Sequence, residues 1–223
     1  MLSPEEISAI YISMKVAVCS TLLILPPAIF ISWVLAKSSI RGKSFIETLV
    51  NMPLALAPVV SGFFLLILIS RTGVVGRILY EDLGIELTFT WYAAVLASAV
   101  IAFPLLVRVA RVAMEEVDPK LENAARTLGA SPWRVFCTVT LPLSIRGVIA
   151  GSILAFTRSL GEFGATIMLA GNIPGKTQTI PLAVFNCVQT GHEDEGLRLV
   201  FIATILAFSA LFAAQSISSR TTH

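Results

Sequence analysis

Apolar and polar residues are segregated along this chain into long blocks rather than interleaved at short period. Five apolar blocks are each about as long as a hydrocarbon core is thick, and about 20 apolar residues cross such a core as a helix. The pattern predicts spans over about 10–36, 50–70, 90–107, 143–161 and 197–217. Lys15 lies early in the first span, and Pro26-Pro27 sit in its middle, where a kink is expected. The second span carries Pro53 and Pro58. Proline is tolerated in membrane helices where neighbouring groups satisfy the freed carbonyls. Trp91 and Tyr92 open the third span, as aromatic side chains do at a membrane interface. The apolar character of the fourth runs on to Ala170. A further apolar run, Thr179 to Val188, is too short to cross; the pattern leaves the segment 172–196 unassigned, with a re-entrant or interfacial helix lining a cavity as one form open to it.

Composition agrees with that pattern. The chain has 223 residues, of which 56% are hydrophobic and 13% charged, and a mean hydropathy of +0.84. Soluble domains carry roughly 25% charged residues, so too little polar surface is present for a water-soluble fold. An all-α membrane bundle follows, with residues 1–223 expected as one transmembrane domain. A net charge of +2 gives no reason to expect nucleic acid. The three cysteines, Cys19, Cys137 and Cys187, have neither metal spacing nor a disulfide framework. His192 and His223 are isolated, so no Ser/His/Asp or Cys/His constellation can be assembled. Met1 to Glu6 is acidic, with no basic region before the first apolar run. That run is therefore expected to persist as a membrane helix rather than act as a cleaved signal.

The placement of charge gives an orientation. Ten of the 16 basic residues fall in three places: the segment after span one (Lys37, Arg41, Lys43), the long segment between spans three and four, and Arg220. Acidic residues gather on the other side, among them Glu5, Glu6, Glu81 and Glu193. Basic loops stay cytoplasmic. The N-terminus is expected outside and the C-terminus in the cytoplasm, as an odd number of spans requires. No internal repeat is visible. Transport pathways need two halves, so a dimer with the pathway on its two-fold axis is expected.

The polar segment of about 108–142 holds the clearest local signals. Asp118-Pro119 starts a helix: Asp caps, and Pro fits the first turn. Leu121, Ala124, Ala125 and Leu128 then recur at helical spacing on one slim apolar face. Gly129 suits a left-handed cap after the last periodic residue. Ser131-Pro132 predicts a second short helix over Trp133 to Val139, and Leu141-Pro142 leads into span four. Such a helix can lie on a lipid surface or seat in a groove on another protein.

The same residues resemble the EAA loop of ABC-importer permeases. That pattern, EAA, three residues, Gly, nine residues, Ile, one residue, Leu-Pro, reads here as Asn123-Ala124-Ala125, Gly129, Val139 and Leu141-Pro142 with every spacing kept. Asn123 stands where Glu is expected, and Glu122 precedes it. The resemblance covers essentially the whole chain and is nearest to molybdate permeases, most sharply over Arg158 to Asn172 (RSLGEFGATIMLAGN). Sulfate permeases share a related version of that stretch. The resemblance implies a type I importer permease fold with about five membrane helices, and a coupling helix that docks on a cytoplasmic ATPase dimer. Glu122, Asn123, Ala124, Ala125, Gly129, Leu141 and Pro142 are the implied coupling residues. It also implies a second copy of the chain, a periplasmic oxyanion-binding protein and a bacterial inner membrane. Molybdate is the implied cargo, with tungstate or sulfate as alternatives. ATP and Mg would bind the partner ATPase, because this chain has no phosphate-cradling Gly-Lys-Ser/Thr loop and no catalytic residues or cofactor of its own are expected. The rival classes are a membrane scaffold without transport and an ion-coupled secondary transporter, the latter expected to show acids or broken helices at mid-membrane.

Arg158 and Glu162 are the remaining candidates. They lie four residues apart, near the far end of span four by helical rise. Either they form an ion pair reaching the interface, or they mark an anion pathway whose gate uses Gly161 and Gly164 for close helix crossing.

Overall fold

A computed structural model describes residues 2–38, 41–84 and 86–219. Arg220 and His223 lie outside the described residues. The described part is helical throughout: α1 Pro4–Lys37, α2 Lys43–Ala55, α3 Pro58–Ile69, α4 Val74–Leu83, α5 Trp91–Glu115, α6 Pro119–Thr127, α7 Pro132–Val135, α8 Leu141–Leu160, α9 Gly164–Ala170, α10 Ile180–Thr190 and α11 Glu193–Ser219. A five-residue π turn, Phe136–Thr140, joins α7 to α8.

Among the described residues, five segments are long and apolar enough to cross a membrane: Pro4–Lys37, Pro58–Ile78, Trp91–Glu115, Pro132–Leu160 and Glu193–Ser216. The number matches the sequence pattern, but the second span differs from the expected 50–70. Its helix is broken at Leu56-Ala57. The residue before a proline is pushed out of the α region, and Ala57 (ψ 138°) is extended ahead of Pro58. What precedes the break, α2, is a separate helix that packs on α5 and is tied to it by Glu47 and Arg111 at 2.6 Å. Span one, by contrast, continues as one helix through Pro26 and Pro27. Span three runs on to Glu115, eight residues beyond its expected end.

The bundle is organised around α5. Ala93, Ala94, Ala97, Ala102 and Ala110 on this helix are fully buried. Lipid tails are as apolar as leucine, so helices in a membrane associate by close approach and van der Waals contact. The alanines of α5 permit that approach from several sides. One cluster joins α5 to α1, α3 and α9 through Ile12, Ile69, Ala97 and Leu169. Another joins it to α1, α2 and α8 through Leu35, Val50, Leu106 and Ala155. A Cβ on Gly147 of α8 would stand 2.2 Å from the Ala113 Cβ, so glycine is required at that crossing. Lys15 has its ammonium 3.6 Å from the Trp91 ring centroid, a cation–π contact that accommodates the charge in span one.

The short apolar run after span four, which the sequence pattern left unassigned, forms α10. Its first N–H, at Ile180, donates to the Ser13 hydroxyl of α1 at 2.7 Å. It lines an open apolar groove of about 630 Å³ together with α8 and α11. The starts of α1 and α11 are joined by Glu6 and Arg198 at 3.0 Å.

Candidate functional site

The segment between spans three and four is built from local capping. The Asp118 carboxylate accepts from the Lys120 N–H at 2.8 Å, and Pro119 takes the first helical position. At the other end Gly129 adopts φ +83°. The Ala130 N–H donates back to the Ala125 carbonyl (3.1 Å) and the Gly129 N–H to the Arg126 carbonyl (2.9 Å), a Schellman closure. Nothing lies within 4 Å of a Cβ built on Gly129. Backbone conformation, rather than space, selects glycine there.

The second helix of this segment differs from expectation. It does not end before Leu141-Pro142. α7 passes through the π turn into α8 without a break, and the Leu141 N–H reaches the Phe136 carbonyl, five residues back. Pro142 has no N–H and its ring crowds the carbonyl four residues earlier. The wider turn just before it relieves that conflict.

The faces of α6 are sorted in an unexpected way. Leu121 is 51% exposed and Leu128 is 88% exposed. Asn123 and Ala124 are exposed, and Ala125 is half-buried. The predicted apolar stripe is therefore left largely uncovered by the chain itself. Asn123 Oδ1 accepts from Arg126 Nη1 at 3.0 Å, also on the exposed side. Glu122 is the opposite: only 4% exposed. Its Oε1 accepts from the Thr140 hydroxyl at 2.7 Å and lies 3.2 Å from the Lys37 ammonium. Lys37 also donates to the Val117 carbonyl at 3.2 Å. Beside this group the Trp33 ring of α1 meets Phe136 at a tilt, with ring centroids 4.8 Å apart, and Trp133 edge-on at 6.0 Å. Of the residues singled out for coupling, Asn123 and Ala124 are exposed, as Leu121 and Leu128 are, Ala125 is half-buried, and Gly129 makes the elbow. Leu141 and Pro142 belong to the start of α8. Glu122 points inward. Sequence reasoning missed Lys37, which reads there as one more basic residue after a span.

The second candidate lies at the far end of α8, about 25 Å along it from Leu141. The apolar run to Ala170 is not one helix. α8 stops at Leu160, Gly161 caps it, and α9 restarts at Gly164. Glu162 sits in the break, 2% exposed. Its Oε2 pairs with Arg158 Nη1 at 2.8 Å, and its Oε1 accepts from the Ala165 N–H at 2.8 Å. The carboxylate thus both neutralises the arginine and caps the restarted helix. The Arg158 side chain remains 32% exposed. The two glycines differ. A Cβ on Gly164 would come within 3.0–3.1 Å of Pro58 and Val59, so α9 crosses α3 closely there. A Cβ on Gly161 would meet only the Thr157 carbonyl, at 3.9 Å, among the described residues of this chain. The partner glycine is Gly62, whose Cβ would stand 2.7 Å from the Ala165 Cα. The buried hydroxyls of Ser159 and Thr166, on either side of the break, have no hydrogen-bond partner among the described residues.

Comparison with known proteins places this architecture. The profile described as "Binding-protein-dependent transport system inner membrane component" matches residues 28–220. The molybdenum transport system permease protein ModB of Haemophilus influenzae is 52% identical over 216 residues, 96% of this chain and 94% of that protein. The sulfate transport system permease protein CysT of Escherichia coli is 32% identical over 218 residues, 98% of this chain and 78% of that protein. Among solved structures, a bacterial ABC transporter involved in the import of the polysaccharide alginate superposes with a TM-score of 0.76 at 18% identity, covering 99% of this chain and 81% of that one. The fold is that of type I ABC importer permeases, and the chain belongs to the family of binding-protein-dependent transport system inner membrane components.

Proposed function

We propose that this chain is the permease subunit of an ATP-binding-cassette importer for molybdate, working as a homodimer by alternating access. The observation that carries the coupling role is the outward apolar face of α6, left open between two membrane spans and held by caps at both ends. A slim helix with an uncovered apolar stripe fits a groove on another protein. The occupant is a cytoplasmic ATPase dimer, one subunit per permease copy, which supplies the site for ATP and Mg. The chain itself performs no ATP chemistry. A periplasmic oxyanion-binding protein delivers the anion and performs most of the selection. ATP-driven closure draws the two α6 helices together and opens the outer side; hydrolysis reverses this.

This reading sets the protein in a bacterial inner membrane, N-terminus outside, with α6 on the cytoplasmic side. A cysteine placed at Ala125 should react with a membrane-impermeant maleimide only in inverted vesicles. Labelling of intact spheroplasts would defeat the reading. The pathway runs past Arg158, whose uncommitted donors ease an oxyanion through while Glu162 prevents tight capture. Conduction requires release, so a neutralised arginine suits a pathway better than a free one.

Molybdate is favoured over sulfate by the 52% identity to the molybdenum permease against 32% to the sulfate permease. The deciding experiment is uptake of labelled molybdate into proteoliposomes holding permease, ATPase and binding protein. Competition by excess tungstate and by excess sulfate is measured in parallel. ATP-dependent molybdate uptake resistant to sulfate is expected. Uptake of sulfate alone would overturn the cargo assignment but not the coupling one.

A further inference from the structure

The attachment of α6 to its own chain is unusual. Of its nine residues only Glu122 is buried. A helix that packs on a protein normally buries an apolar stripe, and α6 buries a carboxylate instead. A cavity of about 460 Å³ opens beside Glu122, lined by Trp33, Lys37, Arg126, Pro132 and Thr140 among others.

Three elements meet at one oxygen atom. Glu122 Oε1 is bonded by the Thr140 hydroxyl, the last residue of the π turn feeding α8, and faces the ammonium of Lys37, the last residue of α1. The same ammonium holds the Val117 carbonyl, one residue before the α6 cap. Lys37 therefore grips α6 at its entry and in its first turn. The Lys37 and Glu122 side chains are only 14% and 5% exposed.

We propose that Glu122 is a positioning residue rather than an ATPase contact: with Lys37 and Thr140 it forms the joint that passes movement of α6 to α1 and α8. The proposal rests on α6 being the docked helix. Apolar contacts are non-directional and let helices slide, whereas hydrogen bonds weaken steeply once misaligned. Separating a buried ion pair leaves an uncompensated charge. A displaced α6 therefore carries Lys37 and Thr140 along more readily than it lets go of them. The π turn beside Thr140, with its poorer regular geometry, is the compliant element on the α8 side. The position carrying Asn123 is left to face outward.

The test uses the assembled importer in proteoliposomes. Lys37→Met removes the ammonium without altering α6, and Glu122→Gln keeps an acceptor for Thr140 while removing the charge. Both variants should retain the ATPase at wild-type stoichiometry and keep basal ATP hydrolysis. Anion uptake per ATP should fall by about tenfold or more, the scale of a typical coupling free energy. The swapped pair Lys37→Glu with Glu122→Lys should recover part of that loss. Release of the ATPase by Glu122→Gln would make Glu122 a direct contact and overturn the proposal. Wild-type uptake per ATP in Lys37→Met would overturn it as well, and this variant decides alone should Glu122→Gln fail to fold. Failure of the docking reading is distinguishable, because Leu128→Asp would then leave the ATPase bound.

Discussion

Truncation of Leu128 tests the docking face with a magnitude that follows from the structure. Leu128 is 88% exposed in the single chain, so nearly all of its side chain remains to be covered by a partner. Leu128→Ala deletes the equivalent of three methylene-sized groups, each contributing about 0.8 kcal/mol when buried. Scaled by the exposed fraction, about 2 kcal/mol of association free energy is lost, or roughly a 30-fold weaker Kd per site. Leu121 is 51% exposed, already half covered by its own chain. Its truncation should cost about 1 kcal/mol of association, roughly sixfold. The order Leu128 before Leu121 is the sharper part of the prediction, because it depends on exposure and not on residue type. Thermal unfolding of the isolated permease in detergent should be unchanged by Leu128→Ala, since almost nothing around it is lost. The assay is titration of the ATPase onto immobilised permease by biolayer interferometry. Equal affinities for wild type and Leu128→Ala, or a larger effect at Leu121, would refute the assignment of this face.

Four further outcomes follow from backbone, packing and charge. Gly129→Ala places a Cβ on a residue at φ +83°; this should strain the elbow by about 1–2 kcal/mol and lower uptake at unchanged expression, whereas full uptake would show that the elbow tolerates another conformation. Gly62→Val should lower the detergent melting temperature, because its Cβ would stand 2.7 Å from the Ala165 Cα and overpacking typically costs 1–3 kcal/mol, about the scale of a failed crossing. Gly161→Ala, with only a carbonyl at 3.9 Å, should melt like the wild type. Glu162→Gln should leave the protein folded but expose Arg158 to the anion unneutralised, so a lower maximal uptake with a lower half-saturating concentration is expected; unchanged kinetics would reduce the pair to an ion pair alone.

Much of this architecture is local in origin. The number of spans, the caps at Asp118-Pro119 and Gly129, the short helix after Thr179 and the stripe of Leu121, Ala124, Ala125 and Leu128 depend on residues within a few turns of one another. Hydrophobic period, proline geometry and glycine conformation report such features without knowledge of the rest of the chain. The break of the fourth apolar run at Gly161–Phe163 escaped that reading, since hydropathy is the same on both sides of it. Its cause lies partly elsewhere, in the crossing of α9 over α3 at Gly164 and Gly62. The start of the second span was misplaced for a related reason: hydropathy runs through Pro58, and the backbone does not.

What tertiary structure alone decided is which side of each element faces its own chain. Adjacent residues Glu122 and Asn123 are equivalent polar positions in sequence, yet one is buried against Lys37 and Thr140 and the other is exposed. Lys37 is far from Glu122 along the chain, and no periodicity links them. A carboxylate is driven inward only when a cation and a donor are already waiting to replace its water, and the folding of α1 against the π turn supplies both. Local sequence can specify that a helix forms and where it stops; the direction it faces is settled by the distant groups that desolvate it.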